Sequence, residues 1–211
     1  MHRATPSRPA EENEKRKALC WTTVSCKEAD LGRAAIEQGV VRRLSAFDHE
    51  AYTQHLLRLD DASRYLRFGM IAKDEFLVEY AKGCNQWDIV IYGYFVDGIM
   101  RGAAEMRPLD GHFEHEAEAA FSVESDWRGS GVGAQLFEKI IRAARNRNIR
   151  KLHMSCLATN PAMQALARKF EADLAFEAGN TEAIVTPHER DISSLMGEAA
   201  DEMAAFAFAS I

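Results

Sequence analysis

The chain has 211 residues, with 26 Lys and Arg against 32 Asp and Glu, and a formal net charge of -6. The length fits one ordinary domain with an extension, and 47% hydrophobic against 27% charged residues is typical of a globular protein. The negative balance argues against nonspecific nucleic-acid binding, and no apolar run approaches the ~20 residues that span a bilayer. Because the first residues also lack the apolar core of a secretory signal, we expect a cytoplasmic protein.

The cysteines and histidines form no metal-binding pattern. Cys20, Cys26, Cys84 and Cys156 contain no C-x-x-C pair, so neither a zinc knuckle nor a redox motif is indicated. The histidines are scattered along the chain. We therefore expect unpaired thiols and no metal cofactor.

The first part of the chain differs in composition from the rest. Residues 11–17 are nearly all charged, and a run of this kind buries nothing. We therefore divide the chain into a charged, flexible extension over 1–37, a domain over 38–187 and a C-terminal helix over 188–211.

Local patterns from residue 39 onward predict regular secondary structure. Apolar residues at helical spacing, such as Tyr52 and Leu56, predict helices, in which Phe76 and Leu77 are expected to face inward. Segments rich in β-branched residues predict strands, and Asp97-Gly98 is typical of a hairpin turn. The first half thus predicts a strand over 40–44, helices around 52–59, 60–68 and 73–82, and strands over 89–96, 99–106 and 114–123.

The second half alternates between the two kinds of element. It predicts a glycine-rich turn at 128–133, a helix to about 148, a strand over 151–157, a helix from Asn160-Pro161, a hairpin around Gly179-Asn180 and a helix over 189–210. A run of strands followed by strand, turn, helix, strand and helix predicts a mixed α/β (α+β) fold.

The segment Val123–Ala134, between a predicted strand and a predicted helix, contains a glycine-rich turn. Its glycines let successive backbone N–H groups point into one concavity at a helix N-terminus, which suits a phosphate or pyrophosphate. A Walker loop would need Lys after Gly133, where Ala134 stands, and a dinucleotide fingerprint would need G-x-G-x-x-G in a βαβ unit. Neither fits, and the remaining alternative is a turn that only packs a helix on a sheet.

The pattern Arg128-x-x-Gly131-x-Gly133, directly after a strand that ends in valine, resembles the acyl-coenzyme A loop of the GNAT acetyltransferase superfamily. Asn160 at the start of the later helix resembles the family's Asn beside the cofactor arm. The resemblance covers about 150 residues. It implies the GNAT fold, a mostly antiparallel twisted sheet of six to seven strands that splays between strands four and five and is flanked by helices.

The resemblance also implies acetyl-CoA as co-substrate and a primary amine, either a small molecule or a protein lysine, as acceptor. The implied cofactor-binding residues are Phe121, Val123, Arg128, Gly129, Ser130, Gly131, Val132, Gly133, Ala134, Asn160 and Met163.

A narrower resemblance concerns the segment Leu56–Phe68 and the pair Ala117-Glu118, which look like bacterial protein-lysine acetyltransferases. Strand alternation puts Glu116 and Glu118 on one face, and the match to the Ala-Glu pair selects Glu118 as the base that takes the amine proton. The alternative is that both glutamates are solvated. The family's oxyanion donor is expected near Phe121 and Val123, although a strand bulge could shift which N–H is used.

The helix after strand five has no Tyr, which many superfamily members use as the general acid. This departure leaves a second hypothesis open, a non-catalytic acyl-CoA sensor. A third hypothesis makes the C-terminal helix an interaction surface, as in a homodimer, because Phe206 and Phe208 would be wasteful if exposed.

Charge is unevenly distributed along the chain. Cations at Arg142, Arg145, Arg147, Arg150 and Lys151 are candidates for contact with the adenosine 3′-phosphate, or simply favour a helix C-terminus. Carboxylates at Glu105, Asp110, Glu114, Glu116, Glu118, Glu124 and Asp126 predict a cationic acceptor if they line the cleft, or else are solubility devices.

Overall fold

In the computed structural model, which describes residues 39–84, 88–109, 115–177, 180–189 and 191–208, a seven-stranded sheet lies between two layers of helices. The strands are β1 Val40–Arg43, β2 Val90–Val96, β3 Ile99–Pro108, β4 Glu116–Val123, β5 Lys151–Leu157, β6 Asp173–Glu177 and β7 Asn180–Val185. The helices are α1 His49–Arg58, α2 Asp61–Phe68, α3 Asp74–Gly83, α4 Val132–Asn146, α5 Pro161–Lys169 and α6 Ile192–Phe208, with 3₁₀ turns at Ala46–Asp48 and Ser125–Trp127. The predicted extension over 1–37 lies outside the described residues.

The strand order is β1-β2-β3-β4-β5-β7-β6, and every neighbouring pair is antiparallel except β4 and β5, which are parallel. The prediction of a mixed, mostly antiparallel fold is therefore confirmed. The expected hairpin between β2 and β3 also forms, and Asp97 and Gly98 both take positive φ angles, of 50° and 74°. This is the backbone that a two-residue hairpin turn requires.

The parallel pair β4–β5 is very short. It consists of Glu116 opposite Lys151, Ala117 opposite Leu152 and Glu118 opposite His153. Beyond Glu118 and His153 the two strands no longer pair, although β4 continues to Val123 and β5 to Leu157. The sheet therefore opens between strands four and five, as the resemblance implied.

Helix α4 packs on one face of the sheet and ends two residues before its predicted end. Its apolar stripe, Leu136, Phe137 and Ile140, is fully buried against the sheet. The helix stops at Asn146 because Asn148 adopts a left-handed conformation with φ 59°, while the N–H of Ile149 bonds the carbonyl of Ala144 at 3.0 Å. This is a Schellman termination with asparagine in the place that glycine usually takes.

Helices α1 to α3 cover the opposite face around Tyr52, Leu56 and Leu77. The prediction that Phe76 faces inward is only partly right. Its side chain is 40% exposed, and it contacts Phe68 and Tyr80 with ring centroids 5.6 and 6.0 Å apart. The aromatic spacing was correct, but α3 lies at the edge of the layer.

Helix α6 packs on α4 and β1. Ion pairs join Lys139 to Asp201 at 2.5 Å and Arg147 to Glu198 at 2.6 Å. The side chains of Phe206 and Phe208, on which the interaction-surface hypothesis rested, lie outside the described residues. Among the helices that the structure describes, none has the length and apolar character needed to cross a membrane.

Candidate active site

The glycine-rich turn between β4 and α4 exposes backbone amides at a helix N-terminus. Gly129 and Gly131 have φ angles of 73° and 90°, in the left-handed region that favours glycine. Apart from their chain neighbours, no atom of the described residues lies within 4 Å of the place where a Cβ on either would stand. The first helical bond joins the N–H of Ala134 to the carbonyl of Gly131 at 3.1 Å, so the N–H groups of Val132 and Gly133 precede it. The local geometry is that of an anion-binding turn.

Side chains of the turn fix it to the neighbouring elements. The Arg128 guanidinium donates to the hydroxyl of Ser63 at the start of α2 and, at 3.2 Å, to the carbonyl of Val123. Ser63 donates in turn to Asp60, the N-cap of α2, at 2.7 Å. Ser130 donates to the carbonyl of Trp127. Arg128 therefore links the turn to the helix on the opposite side of the cleft.

The edge of β4 that faces the opening carries peptide N–H groups without a strand partner. The N–H of Leu109 bonds the carbonyl of Glu116 at 3.1 Å, and that of Glu124 bonds Arg101 at 3.0 Å, with no register shift between β3 and β4. At each end of β4 an even-numbered residue, Glu116 or Glu124, is hydrogen-bonded to the neighbouring chain on the β3 side. The even-numbered residues of β4 therefore point their backbone N–H groups toward β3. Ala119, Phe121 and Val123 consequently turn theirs toward the opening, and no bulge displaces the predicted pair.

A cleft of about 790 Å³ runs along this edge, bounded by α2, the glycine turn, the end of β5 and α5. Of the predicted cofactor-binding residues it is lined by Phe121, Val123, Arg128, Gly129, Gly131, Gly133, Ala134, Asn160 and Met163, together with the predicted base Glu118. Ser130 and Val132 do not line it. Ser130 is engaged within the turn, and the Val132 side chain is buried in the core, so that only its amide remains for a ligand.

Asn160 is buried and caps helix α5. Its side-chain oxygen accepts the N–H of Met163 at 3.2 Å, and Pro161 occupies the first helical position. Both Asn160 and Met163 therefore owe their places at the cleft to the start of this helix. Helix α5 contains no Tyr, the residue that many superfamily members carry there.

Glu116 and Glu118 have different surroundings, although they share a face of β4. Glu116 bonds Lys151 at 2.5 Å and His153 at 2.8 Å, and these hydrogen bonds lower the pKa of its carboxyl group. Glu118 stands at the last paired position of β4 and lines the cleft. Among the described residues it has neither an ion-pair nor a hydrogen-bond partner, which distinguishes it from its neighbour.

A buried cluster around Glu105 was not found from the sequence. Its Oε2 accepts from Tyr52 at 3.0 Å, Tyr80 at 2.9 Å and Arg67 at 3.2 Å, and its Oε1 accepts from Arg107 at 2.7 Å. Burial acts to raise the pKa of Glu105, but the charges of Arg67 and Arg107 outweigh it and the pKa is lowered. The cluster holds Arg67 in the wall of the cleft.

A second missed cluster surrounds Glu124, just after β4. Its carboxylate accepts from Arg58 at 2.8 Å and Arg101 at 3.0 Å, and lies 3.4 Å from Nδ1 of His55. Burial acts to raise the pKa of Glu124, but the hydrogen bonds from His55, Arg58 and Arg101 lower it to about 2. Ser122 also belongs to this cluster, because its Oγ lies 2.9 Å from Nε2 of His55. Ser122 lines the cleft, so the cluster reaches the cleft wall.

Three of the carboxylates that were expected to face a cationic acceptor are neutralised by cations instead. Glu105, Glu116 and Glu124 are all paired with cations, so they do not present free negative charge to an acceptor. Asp110 and Glu114 lie outside the described residues.

The basic stretch also has other partners. Arg142 faces Asp201 at 3.7 Å, and Arg145 faces Asp191 at 3.8 Å. Together with Arg147 they hold the segment of α6, and none lines the cleft. Their expected contact with an adenosine phosphate is therefore not supported, and the cations that do line the cleft are Arg67, Arg128 and Lys169.

Within the described residues, no group of three or more His, Cys, Asp or Glu side chains is arranged to hold a metal ion.

A mixed sheet that opens between two parallel strands, with a glycine-rich turn at a helix N-terminus beside the opening, is the arrangement that the resemblance to the GNAT superfamily implied. A sequence model of the Acetyltransferase (GNAT) family matches residues 41–171, and the chain belongs to this family. Membership indicates acetyl transfer, for which the family uses acetyl-CoA as co-substrate.

Solved structures share the fold. The GNAT domain of PAT from S. lividans is 22% identical, with a TM-score of 0.63 over 69% of this chain and 89% of that one. A GCN5-related N-acetyltransferase from Kribbella flavida is 20% identical, with a TM-score of 0.60 over 72% and 99%. A ribosomal-protein-alanine N-acetyltransferase from Brucella melitensis is 21% identical, with a TM-score of 0.53 over 69% and 96%. At these identities the likeness shows the fold alone.

Proposed function

We propose that the protein transfers the acetyl group of acetyl-CoA to a primary amine by direct attack of the amine on the thioester. The observation that carries this proposal is the position of Glu118. It is a carboxylate without a cation partner among the described residues, at the point where β4 and β5 part and in the wall of the cleft.

The cofactor would bind through backbone groups. The diphosphate suits the amides of the turn at Gly129, Gly131 and Gly133, at the positive end of the α4 dipole. The pantetheine amides suit the open edge of β4, where they can pair with Phe121 and Val123 as an added strand would. A thioester oxygen that accepts the N–H of Phe121 or Val123 would have its developing negative charge stabilised there.

The chemistry begins with loss of a proton, because an alkylamine has a pKa of ~10.4 and is mostly cationic at neutral pH. Glu118 takes this proton, directly or through a water. The amine nitrogen then bonds the carbonyl carbon, its excess proton passes to solvent, and the bond from carbon to sulfur breaks. Solvent protonates the departing thiolate, or the Cys156 thiol does. Cys156 lines the cleft, and burial raises its pKa, so it is a protonated thiol at neutral pH.

The acceptor enters from the side of α2, where Leu66, Arg67 and Phe68 form the wall. The resemblance of Ala117-Glu118 to bacterial protein-lysine acetyltransferases makes lysine peptides the first acceptors to test, and small amines the second.

The test measures acetyl-CoA binding by thermal shift, and thiol release with lysine peptides and a panel of amines. In Glu118→Gln, kcat/KM is expected to fall about 100-fold or more while the dissociation constant of acetyl-CoA is unchanged. Glu116→Gln is the matched control. It carries the same change on the same face of β4, outside the cleft, and should stay within about threefold.

Binding of acetyl-CoA without thiol release for any amine would contradict the proposal and favour a non-catalytic acyl-CoA sensor. An undiminished rate in Glu118→Gln would remove Glu118 as the base.

A further inference from the structure

Ser122, His55 and Glu124 form a hydrogen-bonded row at the wall of the cleft, outside the groups assigned to amine acetylation. Ser122 Oγ lies 2.9 Å from His55 Nε2, and His55 Nδ1 lies 3.4 Å from Glu124 Oε1. His55 comes from α1, Ser122 from β4, and Glu124 directly follows β4. A hydroxyl, an imidazole and a carboxylate in this order form the arrangement that activates serine nucleophiles on unrelated folds.

The contacts determine the direction of the hydrogen bonds. Glu124 is held as a carboxylate by Arg58 and Arg101, so it can only accept. The hydrogen of His55 therefore lies on Nδ1, facing Glu124. Nε2 of the neutral ring is then an acceptor, and the hydroxyl of Ser122 must donate to it. The Ser122 oxygen is left with its lone pairs free of this bond.

Burial keeps the His55 ring neutral, so that Nε2 has a free lone pair. Its side chain is 0% exposed, and burial lowers its pKa, while the hydrogen bond to Glu124 opposes the shift. The ring is therefore neutral at pH 7, and bulk water cannot reach Nε2. The anionic Glu124 stands where it would stabilise an imidazolium ring.

Ser122 is also placed against the expected path of the thioester. It lines the cleft, and its neighbours Phe121 and Val123 turn their amides to the opening. Glu118 lies four residues away on the same face, about 13 Å along the strand. A thioester that accepts the Phe121 N–H would lie beside Ser122, the next residue of β4, and farther from Glu118.

We propose that Ser122 is a second acyl acceptor of this cleft, and that the protein slowly hydrolyses acetyl-CoA through an O-acetyl-Ser122 intermediate when no amine is bound. This inference rests on the proposed binding of acetyl-CoA.

The steps balance without another reactant except water. Ser122 Oγ bonds the carbonyl carbon while its proton passes to His55 Nε2. The bond from carbon to sulfur breaks, and the imidazolium returns the proton to the thiolate, which leaves as the free thiol. A water in the cleft then attacks the ester carbon and the bond to Ser122 Oγ breaks. One proton of the water passes to Ser122, the other goes to solvent, and acetate leaves.

The experiment uses the full chain with acetyl-CoA and no amine. Thiol release is followed over time, and samples quenched in acid are analysed by mass spectrometry for an acetyl group on the peptide that contains Ser122. Ser122→Ala removes the nucleophile. His55→Gln keeps a side-chain oxygen that can accept the Ser122 hydrogen bond but cannot take the proton. Ser193→Ala, a serine of α6 outside the cleft, is the control.

Hydrolysis is expected to fall roughly tenfold or more in Ser122→Ala and in His55→Gln, and to remain at the wild-type rate in Ser193→Ala. Melting curves identify any variant that has lost its fold. A network that only anchors α1 to β4 would lower the melting temperature without this loss of rate, so a hydrolysis rate in folded Ser122→Ala within about twofold of wild type overturns the inference.

The failure of the inference is distinguishable from that of the proposed function. If acetyl-CoA binds and amines are acetylated while hydrolysis does not depend on Ser122, only the inference fails. If acetyl-CoA gives no thermal shift, the proposed function fails and the inference with it.

Discussion

Replacement of Glu105 by Gln removes the negative charge from a buried cluster without changing its volume. Glu105 is 3% exposed. Its Oε2 accepts from Tyr52, Tyr80 and Arg67, and its Oε1 accepts from Arg107. A glutamine keeps one oxygen, and its NH₂ group then faces hydrogen-bond donors.

The magnitude follows from what is left behind. Arg67, with a side chain 11% exposed, would remain without its counter-ion, and removal of one partner from a buried ion pair costs about 3–5 kcal/mol. This is a large share of the ~5–15 kcal/mol by which ordinary domains are stable. With an m-value of about 2 kcal/mol/M, the midpoint of urea unfolding should fall by about 2 M.

Urea unfolding followed by far-UV circular dichroism measures this change. Glu79→Gln is the matched control, because Glu79 lies on the neighbouring helix α3 and is 76% exposed. Among the described residues its only ion-pair partner is Lys82, at 3.1 Å. The same loss of charge there should change the unfolding free energy by less than about 0.5 kcal/mol.

The reasoning is refuted if Glu105→Gln stays within about 1 kcal/mol of wild type. Should that variant fail to fold, Tyr52→Phe provides a graded test. It removes one buried donor while leaving the ion pairs, and should cost about 0.5–1.5 kcal/mol. No loss of stability in Tyr52→Phe would contradict the same argument.

Three further predictions concern the turn, the Glu124 cluster and the core. Gly131→Ala should destabilise the protein by about 1–2 kcal/mol in thermal unfolding and weaken acetyl-CoA binding, because the φ angle of Gly131 is 90°. Gly83→Ala is the control. Gly83 has an ordinary φ and open space around it, so this change should be neutral or stabilising. The pKa of Glu124 in the folded protein, about 2, is below its usual 4.5, so its contribution of about 3 kcal/mol to stability is present above pH 4.5 and is lost as the pH falls toward 2. The difference in unfolding free energy between wild type and Glu124→Gln should therefore shrink over that window. A constant difference would count against the pairing. Phe137→Ala should cost about 3–5 kcal/mol in urea unfolding, since this ring is fully buried between Phe121 and Phe170, and a smaller loss would mean that the core closes around the gap.

The parts of the site that local signals encode were predictable from the sequence. Glycines at 129, 131 and 133, a strand before them and a helix after them are neighbours in the chain, so a short pattern is enough to place the turn. Asn160-Pro161 marks a helix start in the same way. Strand alternation also separated the face of Glu118 and Ser122 from that of Phe121 and Val123.

The side-chain partnerships were not predictable, because they join residues that are distant in the chain. Nothing near Glu105 indicates that Tyr52 and Tyr80 will donate to it, and nothing near Ser122 indicates His55. The basic stretch from Arg142 to Lys151 has the same limit, since the partners of Arg142, Arg147 and Lys151 come from α6 and β4. Charge counted along a sequence does not show which charges neutralise each other once the elements pack.

The shortness of the β4–β5 pairing has a consequence for cooperativity. The ladder that joins β1–β4 to β5–β7 has only three residue pairs, extended by a bond from the Arg150 N–H to the His115 carbonyl at 2.6 Å. Ala119, Phe121 and Val123 hold amides without a strand partner. These amides should therefore exchange with solvent deuterium faster than those of the fully paired β3. A ligand that lies along the seam supplies the missing ladder. By mass action, such a ligand at 100 times its dissociation constant adds about 2.7 kcal/mol to the stability of the whole domain. Cooperative unfolding of the two half-sheets should therefore depend on whether a ligand lies between β4 and β5.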